Sequence, residues 1–197
     1  MAADTHVLWL DFFDLEGLAA ASSSVVFAKV LDVHERTIPV QSAARPRLGD
    51  NAQQIISMEV LELWKGESPA AGQQIDVFHS TRISMDDPRT AARDYAVLED
   101  GALQVNKGVA VVAFLSLATD SDGSPLWGFA GQPGLAEVKG TQLIFVASPR
   151  YRAELARRGL QAIPGSGDSP FTATVPDVRA ALEATPRLRD LLRQLVD

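Results

Sequence analysis

The chain contains no cysteine. Disulfides, thiolate metal sites and cysteine nucleophiles are excluded together. The compartment stays open, because cytosolic proteins need no disulfide and exported bacterial domains of this size fold without one. Long hydrophobic runs are missing too: no stretch reaches the roughly 18 apolar residues that a membrane-spanning helix requires. Residues 1–6 lack a basic stretch followed by an apolar one, so they do not read as a secretory signal. Histidine is scarce. His6, His34 and His79 stand alone, with no His-x-x-x-His or Glu-x-x-His spacing to write a zinc site locally. Walker A loops, Gly-x-Gly-x-x-Gly turns and Gly-x-Ser-x-Gly elbows are absent; Gly165-Ser166-Gly167-Asp168 has the wrong neighbours. No local motif supports catalysis.

What remains is the composition of a globular domain, 197 residues with 46% hydrophobic and 22% charged side chains, enough to bury a core. Eighteen basic residues against 25 acidic ones leave a net charge of −7. An acidic body repels phosphate backbones, which argues against general nucleic-acid binding.

Hydrophobic patterning predicts mostly strands. Residues 11–22 read as a short helix with Phe12, Leu15, Leu18 and Ala19 on one face. Residues 24–34 are apolar on both alternating faces at their start, as expected of a strand buried on both sides or of one at a barrel corner. Residues 36–52, with Pro39, Pro46, Gly49 and Asn51, read as a long loop. Strands at 53–65 and 73–80 flank the turn Gly66-Glu67-Ser68-Pro69-Ala70-Ala71-Gly72. Residues 81–107 predict a long loop with a helical turn near 89–95, and long loops of this kind are often functional. Strands follow at 108–117 and 126–131, then a hairpin at 135–138 and 141–147. After Ser148 the composition shifts: a basic helix over 150–158, a Pro/Gly/Ser-rich linker over 163–170, and a tail of two helical pieces, the first with Pro176 near its start and the second capped by Thr185 with Pro186. In the last piece Leu188, Leu191, Leu192 and Leu195 fall at helical spacing.

The order of these blocks resembles a known family. A helix ending Leu18-Ala19-x-x-Ser22 precedes Val25-Val26-Phe27-Ala28-Lys29-Val30. A strand ending Val60-Leu61-Glu62-Leu63-Trp64-Lys65-Gly66-Glu67 leads to Gly72 and Ile75-x-Val77, and Gly108 precedes Ala113-Phe114-Leu115-Ser116. Over roughly residues 11–147 this is similar to bacterial netrin-like domains, related to tissue inhibitors of metalloproteinases. The resemblance implies an OB-like barrel and an extracytoplasmic setting, with an export signal that is not part of this chain. It does not imply protease inhibition. The animal inhibitors chelate zinc through an N-terminal cysteine, which this chain lacks, and no functional residue carries over.

Other constellations are weighed against plainer readings. Asp120-Ser121-Asp122-Gly123-Ser124 starts like a calcium loop, but Pro125, Trp127 and Phe129 occupy the following stretch, and a turn explains the segment. Asp86-Asp87 and Glu99-Asp100 read as solvated loop charges. Trp9, Trp64, Trp127, Phe78 and Phe129 would make a stacking platform for single-stranded nucleic acid only with interleaved basic residues, of which the strands at 53–65, 73–80 and 126–131 contain only Lys65, so core packing is preferred. Arg150, Arg152, Arg157 and Arg158 read as a solvated helix face.

The expectation is a mainly β fold: an OB-like barrel of five to six strands over residues 1–148, with a short N-terminal helix, followed by a linker and helical appendage over 149–197. The expected function is a non-catalytic protein-binding or structural module, without cofactor. Its partner would be another protein or its own copies; Leu188, Leu191, Leu192 and Leu195 are the candidates to engage it, although packing of this stripe on the chain's own barrel is the preferred reading. The alternatives are a metal-dependent hydrolase assembled in space from His34, His79 and loop acids, and single-stranded nucleic-acid binding.

Overall fold

In the computed structural model, residues 15–42, 45–85, 95–119, 125–158 and 172–194 are described, with side chains at 41–48, 95–98, 158, 172 and 185–194 left aside. The element order is α1 (Leu15–Ala21), β1 (Ser24–Ser42), β2 (Arg45–Lys65), β3 (Gln74–Met85), β4 (Tyr95–Glu99), β5 (Ala110–Thr119), β6 (Pro125–Phe129), β7 (Leu135–Lys139), β8 (Gln142–Val146), α2 (Pro149–Arg158), β9 (Thr172–Thr174) and α3 (Val175–Gln194).

The strand ladder closes on itself. β1 pairs antiparallel with β2, β2 with β3, and β5 with both β6 and β1. β3 and β6 join in parallel through Val77↔Trp127 and Phe78↔Gly128. The resulting ring, β1-β2-β3-β6-β5-β1, is an OB-like barrel. From β5 the sheet continues outward through β7, β8 and β9, while β4 adds to β3.

This arrangement explains why β1 and β5 are apolar on both faces. Successive strand side chains point to opposite sides. Val26, Ala28 and Val30, with Val111, Ala113 and Leu115, line the barrel interior beside Ile56, Met58, Val60, Val77 and Trp127. The alternate residues Val25, Val112 and Phe114 face a second core, built with Phe145 and Leu143 of β8, Leu18 and Ala19 of α1, and Val178 and Ala181 of α3. Strand β9 and α3, from the segment expected as an appendage, thus join the sheet and the second core.

Three expectations are corrected. Residues 36–42 and 45–52 are not a loop but the far arms of the β1–β2 hairpin, in which Pro39 pairs with Asp50 and Val40 with Gly49. Beyond Val30, whose N–H and carbonyl still bond to Val109 and Gly108, β1 has no strand partner on its β5 side among the described residues, so it is an edge strand, where the donor missing from Pro39 is tolerated. Gly49 is required because a Cβ there would lie 2.0 Å from the Ser84 carbonyl oxygen. Of residues 81–107, expected as a long loop, 81–85 continue β3 and 95–99 form β4; the helical turn expected near 89–95 falls, apart from Tyr95 in β4, on residues outside the described ones. The tail is one helix rather than two: α3 runs through Pro186, with good helix formers on both sides of the single lost i→i−4 bond. It starts at a reciprocal cap, where Thr174 N–H donates to Asp177 Oδ2 (2.7 Å) and Asp177 N–H to Thr174 Oγ1 (3.3 Å).

The motifs that carried the family resemblance have architectural roles. Ser22 Oγ donates to the Leu18 carbonyl (2.7 Å), and Lys65 Nζ donates to the Ala19 and Ser22 carbonyls, so a β2 side chain caps the C-terminus of α1. Gly66 has φ of +99°, and a Cβ there would lie 2.6 Å from Ser24 Oγ and 2.7 Å from the Ser23 carbonyl oxygen. Gly72 has φ of +82° but open space around it. Gly72→Ala is therefore expected to cost about 1–2 kcal/mol, the left-handed backbone penalty alone. Gly66→Ala adds a clash with backbone and should cost at least about 1 kcal/mol more. Urea denaturation of the two variants measures the difference, and equal midpoints would contradict it.

Candidate functional site

Two places gather chemically distinctive side chains. The first is buried. The segment 100–109 leaves β4 and crosses one end of the barrel, with Leu103 and Val105 in the interior core. Gln54 of β2 holds it as a strand would: its Nε2 donates to the Leu103 carbonyl and its Oε1 accepts from Leu103 N–H, both at 2.9 Å. At the start of this segment, Asp100 and Gly101 N–H both donate to the Thr81 carbonyl at 2.9 Å. The Asp100 carboxylate is fully buried and accepts from Ser148 Oγ (2.7 Å) and from Arg150 Nε (2.9 Å). Gln132 Nε2 approaches its other oxygen at 3.4 Å.

His79 of β3, also fully buried, completes the cluster. Its Nε2 lies 2.9 Å from the Gly101 carbonyl oxygen and 3.4 Å from Asp100 Oδ2. Both neighbours accept, so geometry assigns the proton to Nε2. Burial pushes the imidazole below its ordinary value, against the opposing pulls of the Gly101 carbonyl and the Asp100 carboxylate. The ring also meets Phe129 edge-on at 6.3 Å.

Serine, histidine and aspartate together invite comparison with a hydrolytic triad, but the connections differ. A triad needs the serine hydroxyl on the imidazole. Here Ser148 Oγ donates to Asp100 and accepts from Tyr151 N–H (3.2 Å), which makes it the N-cap of α2 with Pro149 at the first helical position. The cluster is thus a joint between β3, the 100–109 segment and α2.

The second place is on the surface, where the end of β2 meets α3. Glu62, Leu63, Trp64, Arg179, Leu182 and Glu183 line a groove of about 400 Å³. Trp64 stacks on Phe27 with centroids 6.1 Å apart, and Arg179 lies over the indole at 5.5 Å. The Trp64 indole N–H donates to Glu62 Oε2 at 2.9 Å. Tryptophan and arginine are the side chains that most often anchor protein interfaces.

The structure disposes of the sequence candidates as follows. His34 and His79 are not brought together: His34 is exposed beside Asp32 and shares a face with Ile55 and Phe78, whereas His79 aligns with Gln54 on the opposite face. Among the described residues, no group of three His, Asp or Glu side chains is placed to hold a metal ion. Glu99 is exposed as expected, but Asp100 is not a solvated loop charge. Trp127 and Phe129 pack with the barrel core, and Phe78 lies beneath the Arg36 guanidinium at 4.6 Å, so the aromatic residues do not form one platform. Arg152 and Arg157 are exposed, the latter paired with Glu154, but Arg150 is spent on Asp100. Leu188, Leu191 and Leu192 lie on α3 with side chains outside the described set. Leu195, His6, Trp9, Asp86, Asp87 and residues 120–124 and 163–170 lie outside the described residues altogether. No described helix is long and apolar enough to cross a membrane.

Sequence reading missed Ser148, Gln132 and the role of Asp100. The Ser148-Pro149 pair is a legible helix-start signal; nothing local ties it to an acid 48 residues earlier. No protein-family model matches the chain, and no curated protein matches it.

Removing one partner of a buried charge cluster typically costs about 3–5 kcal/mol. Asp100→Ala is expected to lower unfolding free energy on that scale in urea denaturation. Arg157→Ala, which removes only an exposed pair, should leave the midpoint close to wild type. Comparable midpoints for the two variants would contradict the structural role of Asp100.

Proposed function

We propose that the protein is a netrin-like barrel serving as a non-catalytic protein-binding or structural module. The observation that carries this reading is the groove of Trp64, Arg179 and Leu182, which pairs an aromatic side chain and a guanidinium in a half-open recess beside α3. The same helix continues into the leucine-rich turns containing Leu188, Leu191 and Leu192, followed by Leu195. A helix with such a stripe is suited to lie in a partner's groove or against its own copy.

The buried polar residues support the same reading. Ser148, Asp100 and Arg150 bond to one another and to the backbone of α2, as parts of a scaffold do. The resemblance to netrin-like domains points the same way, since its residues cap α1, stack on Trp64 or allow the Gly66 approach, and none is reactive.

Leu191→Asp combined with Leu195→Asp is the test. The variant should change the oligomeric mass measured by light scattering, or lose a protein partner captured from source cells by the wild type, while the urea midpoint stays unchanged. Unfolding of the barrel would place the leucines in the chain's own core. Turnover in a broad activity screen by a protein that captures no partner would overturn the reading.

A further inference from the structure

We propose that the joint formed by His79, Asp100, Ser148 and Arg150 is an acid-sensitive latch, whose opening frees α2 and the 100–109 segment from one end of the barrel while the strand ring stays closed. The inference is independent of the function proposed above.

The geometry separates latch from ring. The ring is held by continuous ladders, such as Ser24–Lys29 of β1 against Ala110–Leu115 of β5. Helix α2 has a thinner attachment. Tyr151 is its one fully buried residue among those described, and its first turn is fixed by the Ser148 cap and the Arg150–Asp100 pair. The 100–109 segment has no ladder of its own between Asp100 and Lys107: its polar anchors are Asp100, Gly101 and the Gln54–Leu103 amide pair, its apolar ones Leu103 and Val105 in the interior core, and it regains the barrel backbone where Gly108 N–H donates to the Val30 carbonyl (2.8 Å). Gly101 adds to the coupling. Its φ is +81°, and a Cβ there would lie 2.9 Å from Pro149 Cγ, so the segment and the start of α2 fit face to face. Elements with few anchors open locally before the global transition.

Proton linkage supplies the trigger. Among the described residues, the charged groups around the imidazole are Asp100 from the segment, with Arg150 of α2 paired to it. The adjoining residues of β2 and β6, Gln54 and Phe129, do not titrate. Burial holds His79 below 6.5 in the closed state, and exposure returns it to that ordinary value. The open form therefore takes up the proton more readily. Closure is fully favoured above pH 6.5 and is progressively lost as pH falls from 6.5 toward the depressed closed-state value. One proton sets the ceiling at about a tenfold change in opening per pH unit.

Amide hydrogen exchange of the full-length protein between pH 7.5 and 5, corrected for intrinsic exchange, tests the latch. Protection of 101–105 and of α2 should fall with pH, within that tenfold-per-unit ceiling, while amides of β1, β2 and β5 keep theirs. His79→Gln should remove the pH dependence. An NMR titration of His79 in the wild type provides a readout that needs no variant, and its apparent pKa should lie below 6.5. The latch is refuted by uniform loss of protection across the strands, by constant protection over this pH range, by an unchanged pH profile in His79→Gln, or by an imidazole titrating at or above 6.5.

Discussion

The structure depends on one constraint: β1 and β5 must bury both of their faces. Their mutual pairing, Val25↔Phe114 through Lys29↔Ala110, closes the barrel and at the same time forms the floor of the second core. Each buried valine, leucine or phenylalanine on either side contributes about 1.5–3 kcal/mol of transfer free energy. Neither core is complete without this shared wall. Inside, the wall meets Ile56, Met58 and Trp127; outside, it meets Leu18, Phe145 and Val178. The helices at the two ends of the chain are thereby drawn to the same side of the sheet, where α3 comes to flank Trp64 and the surface groove arises.

Polar interactions add specificity to this apolar plan. Lys65 and Ser22 fix the end of α1 where the chain enters β1, and Gly66 admits the close approach of Ser23 and Ser24. Gln54 and the Thr81 carbonyl supply hydrogen-bonding partners for a segment that lacks a strand neighbour, which satisfies backbone groups that would otherwise be buried unpaired. Such groups place each irregular segment against one defined partner, and burial area alone would leave that choice open.

Much of this was legible in the residues. The doubled apolar character of 24–30 foretold a strand buried on both faces, the apolar run at 108–117 foretold a strand, and the hairpins around Gly66–Gly72 and Lys139-Gly140 followed from their turns. The far arms of β1 and β2 escaped notice because Pro39, Gly49 and Asn51 are loop-forming residues by local preference; an edge position and a tight crossing over Ser84 accommodate them instead. Asp100 was illegible for a different reason. Its burial depends on Ser148 and Arg150, which the fold alone brings near, and a sequence shows an acid followed by glycine without showing its environment. The Trp64–Arg179 pairing likewise joins distant parts of the chain.

The most direct test of the account is the detection of cross-strand contacts in solution by NMR. Backbone proton contacts between Phe27 and Val112 report the shared wall, and contacts between Val77 and Trp127 report the parallel closure of the ring. The account predicts both sets in the same folded species, together with contacts between Val178 and Phe114 or Phe145 across the second core. A species that keeps the β1–β2 hairpin but lacks the Phe27–Val112 contacts would contradict it.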